Sequence, residues 1–591
     1  MNQTLSKPYG SFCLTMSRST LESLALISVL VVGAALRFWN ITVGLPILYV
    51  HDEIFEVHRA LELLRGEYNF YRIKGVFFYL LSFLSGAYGA WLVLQGQFSD
   101  LGDFVSYSLV HPGDIILLSR LLCAVLGTLS IYLVYRLGKQ IFPVDSPGPL
   151  VLTLAWATCG LATWTSKWGL IETTVLVFGL LAFFPIFRLF ENSSQNMYGL
   201  AGLLIAAATA TKIYGVLLLL PLVFAHVSAH GGNRNVWRTL FQGKVALALL
   251  VFAIALVVLN PAILVKSMEI GEGGGIIPKL SVDTEEIYPL PFYVKHVRWN
   301  LGLVGSVLFL IGAATALARF DKKVCTCAIF AVSFLLALGL RKEAVLIYDR
   351  YLLVSLPFFF IVAAYGLEVV WQWAQGLLSM PLKRLAQPMA SVAVALAFTW
   401  NGATILLANP VMGKPFVPVY QQALEWFEQH VPGGATVVIR GETRPWPGNQ
   451  SLPIFDLKEN YLRVYETKKQ AGKTPAEIAY LLDLGMADDV TRYNLVNETR
   501  YVIWKRPDEY ITQNGAEYFV VDVEYFDGQV GARRSSRATL SRRAFYQRLR
   551  DSSDVVLLKA FQGYAVTGSP RTIEVYAVVA PHGALTAKKH D

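Results

Sequence analysis

The most informative stretch of the sequence is residues 47–70, "ILYVHDEIFEVHRALELLRGEYNF", which follow the apolar run "LISVLVVGAALRFW" at residues 26–39. The apolar run has the composition of a membrane helix, and Asp52, Glu53 and Glu56 come shortly after it. Carboxylates beside a membrane helix are energetically expensive and commonly have a function. The three acids therefore indicate a site at the membrane surface.

The composition divides the chain into two regions. Hydrophobic residues make up 54% of the 591 residues and charged residues only 16%, with a mean hydropathy of +0.46, whereas a soluble domain carries about 25% charged residues. Apolar blocks fill residues 1–410, and charged, mixed sequence fills residues 411–591. We predict a mainly α-helical polytopic membrane region at 1–410, with a large first external loop at 43–114, followed by a soluble α/β domain at 411–591.

The C-terminal region alternates segments of two kinds. "ATVVIR", "EYFVVDVEYF", "VVLLKAF" and "TIEVYAVV" are typical of strands. "PVYQQALEWFEQHV", "TPAEIAYLLDLG" and "SRRAFYQRLRDS" are typical of helices. The region contains no glycine-rich phosphate loop and no HExxH motif. We expect a small domain that packs over the external loops and has no nucleotide site.

The apolar blocks predict the path of the chain through the membrane. A crossing helix needs about 20 apolar residues, and the sequence allows about 11 to 13 of them. The predicted spans are 21–42, 115–138, 148–165, 170–190, 198–211, 213–229, 244–264, 300–318, 324–340, 351–374 and 388–408. The block 76–95 is a further candidate, which either crosses the membrane or lies in its interface.

Basic residues indicate the orientation of the spans. Cytoplasmic loops are enriched in Lys and Arg, and the basic loops here hold Arg136, Lys139, Arg188, Arg234, Arg238, Lys244, Arg319, Lys322, Lys323, Lys383 and Arg384. They share one side only if block 76–95 does not cross. We therefore expect a multi-pass protein of the cell membrane with an extracytoplasmic C-terminal domain. The net charge of +9 is explained by these loops, so membrane lipids are expected as partners and nucleic acid is not.

The acids at 52–56 have three interpretations that the residues alone leave open. Asp52 can cap the helix that starts there, which explains one acid better than two. Asp52 and Glu56 could instead bind a divalent cation. His51 and His58 cannot both join them, because seven residues span about 10.5 Å of helix. Third, a partly desolvated carboxylate can act as a general base on an acceptor hydroxyl.

The third interpretation needs an electrophile, and in a membrane the natural one is a group activated on a lipid phosphate. Arg350, Lys212, Arg120 and Lys74 are the cations available near the predicted outer ends of the spans. The helix that begins at Asp52 is amphipathic, and its other acids, Glu56 and Glu62, are interpreted as solvated.

Several motifs, in this order, resemble the GT-C polyprenol-phosphate-sugar-dependent glycosyltransferases of family 39, which include protein O-mannosyltransferases, the aminoarabinose transferase of lipid A and RgtA/B/C/D-like bacterial enzymes. "LPILYVHDE" is similar to the family's first-loop Asp-Glu motif, and "SKWGLIETTVLVFGLLAFF" to its second-loop acid. "LSRLLCAVLGTLSIYLVYRLGKQIF", "AGLLIAAATATKIYGVLLLLPLVF" and "YDRYLLVSLPFFFIVAAYGL" are similar to its Arg-led, Thr-Lys-Tyr and Arg-Tyr spans. The likeness extends over nearly the whole chain.

The resemblance implies a helical membrane bundle with juxtamembrane helices, and inverting sugar transfer from a polyprenyl-phosphate donor to an unidentified glycan, lipid or protein acceptor. It implies Asp52 as the general base, Glu53 as a positioning or second acid, and Glu172 in the second acid position, where Asp is commoner. Arg350 and Lys212 would hold the lipid phosphate. His296 and Arg298 lie in the external loop where the family also contributes site residues. No cofactor is implied beyond the divalent cation of the metal interpretation.

A transporter or flippase of lipid-linked substrates is the alternative from another class. It would have inverted repeats and charges near the middle of the bilayer. The sequence has no internal repeat, and its notable charges stand at the ends of the spans. A glycosyltransferase is therefore the preferred interpretation.

Overall fold

A computed structural model describes most of the membrane region and parts of the C-terminal region. The described residues are 18–45, 51–66, 75–230, 243–261, 289–340, 348–377, 380–407, 419–433, 435–440, 494–497, 517–522, 550–551, 553, 555–564 and 570–579. Within them the chain is mainly helical, as predicted.

Fifteen α-helices are described in the membrane region. In chain order they are α1 Arg18–Phe38, α2 His51–Leu64, α3 Gly75–Leu94, α4 Leu101–Val110, α5 Gly113–Ile141, α6 Gly148–Ala157, α7 Gly160–Thr165, α8 Glu172–Arg188, α9 Gln195–Thr211, α10 Leu219–His230, α11 Gly243–Leu259, α12 Leu290–Arg319, α13 Lys322–Gly339, α14 Leu356–Leu377 and α15 Met380–Leu407. Two 3-10 helices, Ile213–Leu218 and Asp349–Val354, precede α10 and α14.

One end of the bundle, here called the basic end, collects the predicted cytoplasmic loops. Lys139 Nζ lies 2.9 Å from Glu22 Oε1, which joins the end of α5 to the beginning of α1. Lys323 Nζ lies 2.8 Å from Glu191 Oε1, and Lys244 Nζ donates to a backbone carbonyl in the loop before α9. Lys323 Nζ also donates to the carbonyl of Gln140 in α5 at 3.1 Å, so the start of α1, the end of α5 and the starts of α9, α11 and α13 lie together.

The long helices alternate in direction between the basic end and the opposite end, here called the site end. The passes are α1, α5, α6 with α7, α8, α9, the 3-10 helix with α10, α11, α12, α13, α14 and α15. Seven described helices are long and apolar enough to cross a membrane on length and composition alone, and α3 is one of them. Shorter apolar helices, such as α6 and α11, complete the bundle. The polytopic helical fold is thus confirmed.

Helix α3 is an exception to the alternation, because both of its halves contact the site end. A Cβ atom on Gly75 would stand 2.2 Å from the carbonyl oxygen of Leu259, the last residue of α11. Tyr88, about 20 Å further along the helix axis, donates from its hydroxyl to Asp114 in the first turn of α5, at 3.4 Å. We infer that α3 lies along the site end, although its length and composition would permit a crossing.

A break in α12 separates a segment at the site end from a crossing segment. Gly302 has φ +69°, a left-handed conformation that glycine adopts without strain. The side chain of Asn401 fills the break, since its Nδ2 donates to the carbonyls of Trp299 and Asn300 at 2.8 and 3.0 Å. The predicted span 300–318 therefore corresponds to the second part of α12.

The C-terminal region contains helix α16 (Val419–His430) and a five-stranded mixed sheet. Its strands, β1 Thr436–Arg440, β2 Asn494–Asn497, β3 Tyr518–Asp522, β4 Val555–Tyr564 and β5 Pro570–Val578, are ordered β2-β1-β3-β5-β4. Strand β1 is parallel to β2 and β3, and the remaining pairs are antiparallel. Strand β2 was not predicted, because its four residues "NLVN" show no alternation. The predicted helix 474–485 and most of 541–552 lie outside the described residues.

The sheet domain packs onto the site end of the bundle. One apolar cluster joins Val43 and Trp168, between membrane helices, to Phe427 of α16 and to Val437 and Ile573 of the sheet. The C-terminal region and the acids that follow α1 therefore lie at the same end.

The flat placement of α3 and the two ends of the bundle predict an accessibility pattern. Gln97 follows α3 and Val144 lies between α5 and α6, and both side chains are exposed. In a functional chain without native cysteines, an impermeant maleimide added to intact cells should label Gln97→Cys and leave Val144→Cys unlabelled until the membrane is permeabilised. If α3 crosses the membrane instead, α5 runs in the opposite direction and the pattern reverses: Val144→Cys will label in intact cells and Gln97→Cys will not.

Candidate active site

Helix α2 places its first two carboxylates in different environments. Asp52 and Glu53 both lie in its first turn, where free backbone N–H groups and the helix dipole favour negative charge. Consecutive helical residues point about 100° apart around the axis. The Asp52 side chain keeps 36% of its exposure, whereas that of Glu53 is completely buried.

Glu53 is held by a buried pair with Arg120 of α5. Arg120 Nε donates to Glu53 Oε1 at 2.7 Å and Nη2 donates to Oε2 at 2.9 Å. Arg120 Nη1 donates to the carbonyls of Ile41 and Val43 at 2.9 Å, and the backbone N–H of Gly169 donates to Glu53 at 2.9 Å. Fork-to-fork geometry of this kind is the strongest form of ion pair. We infer that Glu53 and Arg120 connect α2, α5 and two loops.

Asp52 belongs to a second group, here called the rim cluster, which consists of Asp52, Arg350, Glu172 and Lys212. Arg350 Nη2 donates to Asp52 Oδ2, and Arg350 Nε lies 3.4 Å from Glu172 Oε1. Lys212 Nζ donates to the same Glu172 oxygen at 2.6 Å. Two acids thus alternate with two cations, and the formal charge of the rim cluster is zero.

Three chain breaks bring the rim cluster together. Glu172 begins α8. Lys212 is extended (φ −155°, ψ 135°) between α9 and the following 3-10 helix. Arg350 lies in the 3-10 helix before α14. Side chains at such breaks can point across the end of the bundle, which is how residues from four separate segments meet.

Tyrosine rings surround the two cations. The Arg350 guanidinium lies 4.3 Å from the centre of the Tyr348 ring, and Lys212 Nζ lies 4.2 Å from the Tyr351 ring and 4.9 Å from the Tyr214 ring. Such contacts hold a cation in place without neutralising it. Burial alone would lower the pKa of Arg350, but Glu172 and Asp52 outweigh it and raise the pKa above its usual value. Burial also raises the pKa of Tyr351.

His296 lies near the rim cluster, and Arg298 does not join it. His296 Nδ1 is 3.7 Å from Asp349 Oδ2, and its ring packs on Phe292 with centroids 4.3 Å apart. Arg298 is exposed, and no ion pair joins it to the rim cluster among the described residues. Lys74, also predicted to bind substrate, lies outside the described residues.

The prediction that Glu56 and Glu62 are solvated is wrong. Only 2% of Glu56 and 6% of Glu62 are exposed, because α2 packs on α3 and α5 and α4 covers it further. Arg59 pairs with Glu62 at 2.6 Å. Amphipathic periodicity identified the apolar face, but it could not show that the polar face is covered as well. For the metal interpretation, the described residues contain no group of three or more His, Cys, Asp or Glu side chains placed to hold an ion.

Several residues near the site were not predicted as site residues. Tyr348 and Tyr351 flank Arg350 in "YDRY", and this spacing was a signal available in the sequence. Lys167 is almost fully buried, and its Nζ donates to the carbonyl of Trp39. Burial, and next the charge of Arg37, lower the pKa of Lys167 to about 8. No sequence signal distinguishes this lysine from an ordinary loop cation.

Comparisons with known proteins agree with the sequence motifs. The family model for dolichyl-phosphate-mannose-protein mannosyltransferase matches residues 112–260, which include Glu172 and Lys212. A search of curated protein sequences returns no match. Among solved structures, apo ArnT from Cupriavidus metallidurans is similar over 96% of this chain and 100% of its own, with TM-score 0.50 and 14% identity.

Two further structures are similar at lower TM-scores. ArnT from Cupriavidus metallidurans bound to undecaprenyl phosphate has TM-score 0.48 and 13% identity, and covers 96% of this chain and 100% of its own. The Archaeoglobus fulgidus oligosaccharyltransferase has TM-score 0.48 and 12% identity, over 96% of this chain and 76% of its own. The chain has the fold of the GT-C membrane glycosyltransferases, and the family model confirms the resemblance over residues 112–260.

The two carboxylates of α2 should respond differently to neutral substitution. Glu53→Gln leaves Arg120 charged and buried, and loss of one partner of such a pair costs about 3–5 kcal/mol. Asp52→Asn should change stability little, because the Asp52 side chain is partly exposed and Asn has nearly the same size. The melting temperatures of the purified variants, measured by the fraction that remains monodisperse in size-exclusion chromatography after heating, test both expectations. Equal melting temperatures for Glu53→Gln and wild type would exclude the structural role of the pair.

Proposed function

We propose that the protein is a polyprenyl-phosphate-sugar-dependent glycosyltransferase, which moves a hexose or pentose with inversion to an acceptor hydroxyl at the site end. The observation that carries the proposal is the rim cluster, in which a partly exposed carboxylate pairs with Arg350, and Glu172 links Arg350 to Lys212, at one end of a membrane bundle. The family whose model matches the chain is named for a dolichyl-phosphate-linked sugar, which agrees with a lipid-phosphate donor.

The two cations have the properties that a lipid phosphate requires. Arg350 presents a planar fork of N–H donors that fits two phosphate oxygens, and Lys212 supplies a point charge nearby. Both lie where spans end, near the level of headgroups. Their tyrosine neighbours restrict their positions, so little order is lost when the anion binds.

Glu172 acts in this proposal as a positioning residue, since it touches Lys212 and Arg350 and its side chain is only 3% exposed. It holds the two cations at a spacing suited to one phosphate. Glu53 and Arg120 position α2 and do not contact the substrate.

Asp52 is the proposed general base. It would accept the proton of the acceptor hydroxyl while the acceptor oxygen bonds to the anomeric carbon. The bond from that carbon to the phosphate oxygen breaks, and the lipid phosphate leaves with the electron pair. Attack opposite to the leaving group inverts the anomeric centre.

The proposed location of the reaction is the extracytoplasmic face of the cell membrane. The basic loops lie at the other end, as expected for a cytoplasmic side. The C-terminal domain packs on the site end, where it is placed to cover or to guide an acceptor glycan, lipid or protein.

The donor class can be tested directly. Purified protein in nanodiscs should hydrolyse or transfer sugar from a polyprenyl-phosphate sugar and should leave the matching nucleotide sugar unchanged, as followed by mass spectrometry of the lipid. Efficient use of the nucleotide sugar would refute the proposal. Comparison of surface glycans and glycolipids with and without the gene would then identify the sugar and the acceptor.

Asp52 and Glu172 should give different kinetic defects. Asp52→Asn should lower kcat by about 10² or more, the usual scale for the loss of a general base. Glu172→Gln should mainly raise KM for the donor, because it loosens the cations and leaves the base intact. If Asp52→Asn inserts, folds and turns over at the wild-type rate, Asp52 is only a helix cap.

A further inference from the structure

Resting on the proposed function, we propose that the Asp52–Arg350 ion pair is a latch, which the donor's phosphate opens by taking Arg350 away from Asp52. The base would then become free to accept a proton only when the donor is bound.

The geometry shows that Asp52 is the partner that can leave. Arg350 contacts both Asp52 and Glu172. The Glu172 side chain is almost fully buried and also accepts a hydrogen bond from Lys212 at 2.6 Å. If Glu172 lost its contact with Arg350, no water could replace that cation at its carboxylate. The Asp52 side chain is 36% exposed, and water can replace Arg350 at it. An anion that arrives at Arg350 therefore displaces Asp52 more readily than Glu172.

Charge balance favours the same exchange. The rim cluster is formally neutral, with two acids and two cations. A sugar–phosphate diester adds one negative charge, and phosphate oxygens compete with the Asp52 carboxylate for the same guanidinium edge. After transfer, Asp52 carries the acceptor's proton and the leaving lipid phosphate carries the electron pair of the broken bond, so the two remaining positive charges of the cluster face a doubly charged phosphate. The exchange thus couples donor binding to activation of the base.

An ion-paired carboxylate is also a poor base. Arg350 stabilises the charged form of Asp52 and so opposes its protonation. With the latch, Asp52 stays paired with Arg350 until the donor binds.

Binding of undecaprenyl phosphate to the purified full-length chain tests the latch. Since Asp52 competes for Arg350, Asp52→Asn should tighten the Kd by about fivefold, the scale of a partly exposed ion pair. Asp114→Asn is the matched control: it makes the same change at an exposed residue of the site end that accepts a hydrogen bond from Tyr88, and it should leave the Kd unchanged.

A double-variant cycle separates competition from simple repulsion between anions. With Arg350→Gln as background, Asp52→Asn should no longer improve binding, because nothing is left to compete for. If that background fails to fold, Glu172→Gln with Arg350→Gln removes one buried charge of each sign and serves instead. The latch would be overturned if Asp52→Asn improved the affinity equally in these backgrounds, or if it did not improve the affinity in the wild-type background.

Failure of the latch and failure of the proposed function give different results. If the wild-type chain binds undecaprenyl phosphate no better than undecaprenol, the donor proposal fails and the latch fails with it. If the phosphate binds selectively and Asp52→Asn leaves its Kd unchanged, only the latch fails.

Discussion

The buried pair between Glu53 and Arg120 is the interaction on which the candidate site depends. It draws four segments together: α2, α5, the residues after α1 through the carbonyls of Ile41 and Val43, and the loop at Gly169. Because Glu53 is anchored inward, its neighbour Asp52 must point another way, and the direction left to it faces Arg350. Asp52, the proposed general base, is thereby held at the site end of the bundle.

Much of the fold followed from the sequence because a bilayer imposes simple rules. Long apolar blocks and basic loops predicted the passes and their two ends, and the structure separates Lys139 and Lys323 from Lys212 and Arg350 as expected. The rules concern average composition, so they were ambiguous at α3, whose composition permits a crossing. Its placement depends on contacts with the ends of α11 and α5, which composition does not encode.

The sequence identified the residues of the rim cluster, but it did not show which of them pair with one another. The ends of the apolar blocks pointed to Asp52, Lys212 and Arg350, and the family resemblance pointed to Glu172, but the same reasoning also named Arg120 and Arg298, which do not join the rim cluster among the described residues. The pairing of Glu53 with Arg120 depends on contacts between residues 67 positions apart. A sequence pattern cannot specify such contacts, which is why two adjacent acids first looked alike.

The distribution of charge bears on the choice between a transferase and a transporter. A transporter places its ionic residues near the middle of the bilayer, where both faces can reach them in turn. Here the ionic groups that the structure brings together, in the Glu53–Arg120 pair and in the rim cluster, gather at the site end. A site at the rim can be reached from one side only, by a lipid headgroup in that leaflet and an acceptor above it. Such access suits the proposed reaction between a membrane-bound donor and an acceptor that approaches the site end, which is why the described charges favour a transferase over a transporter.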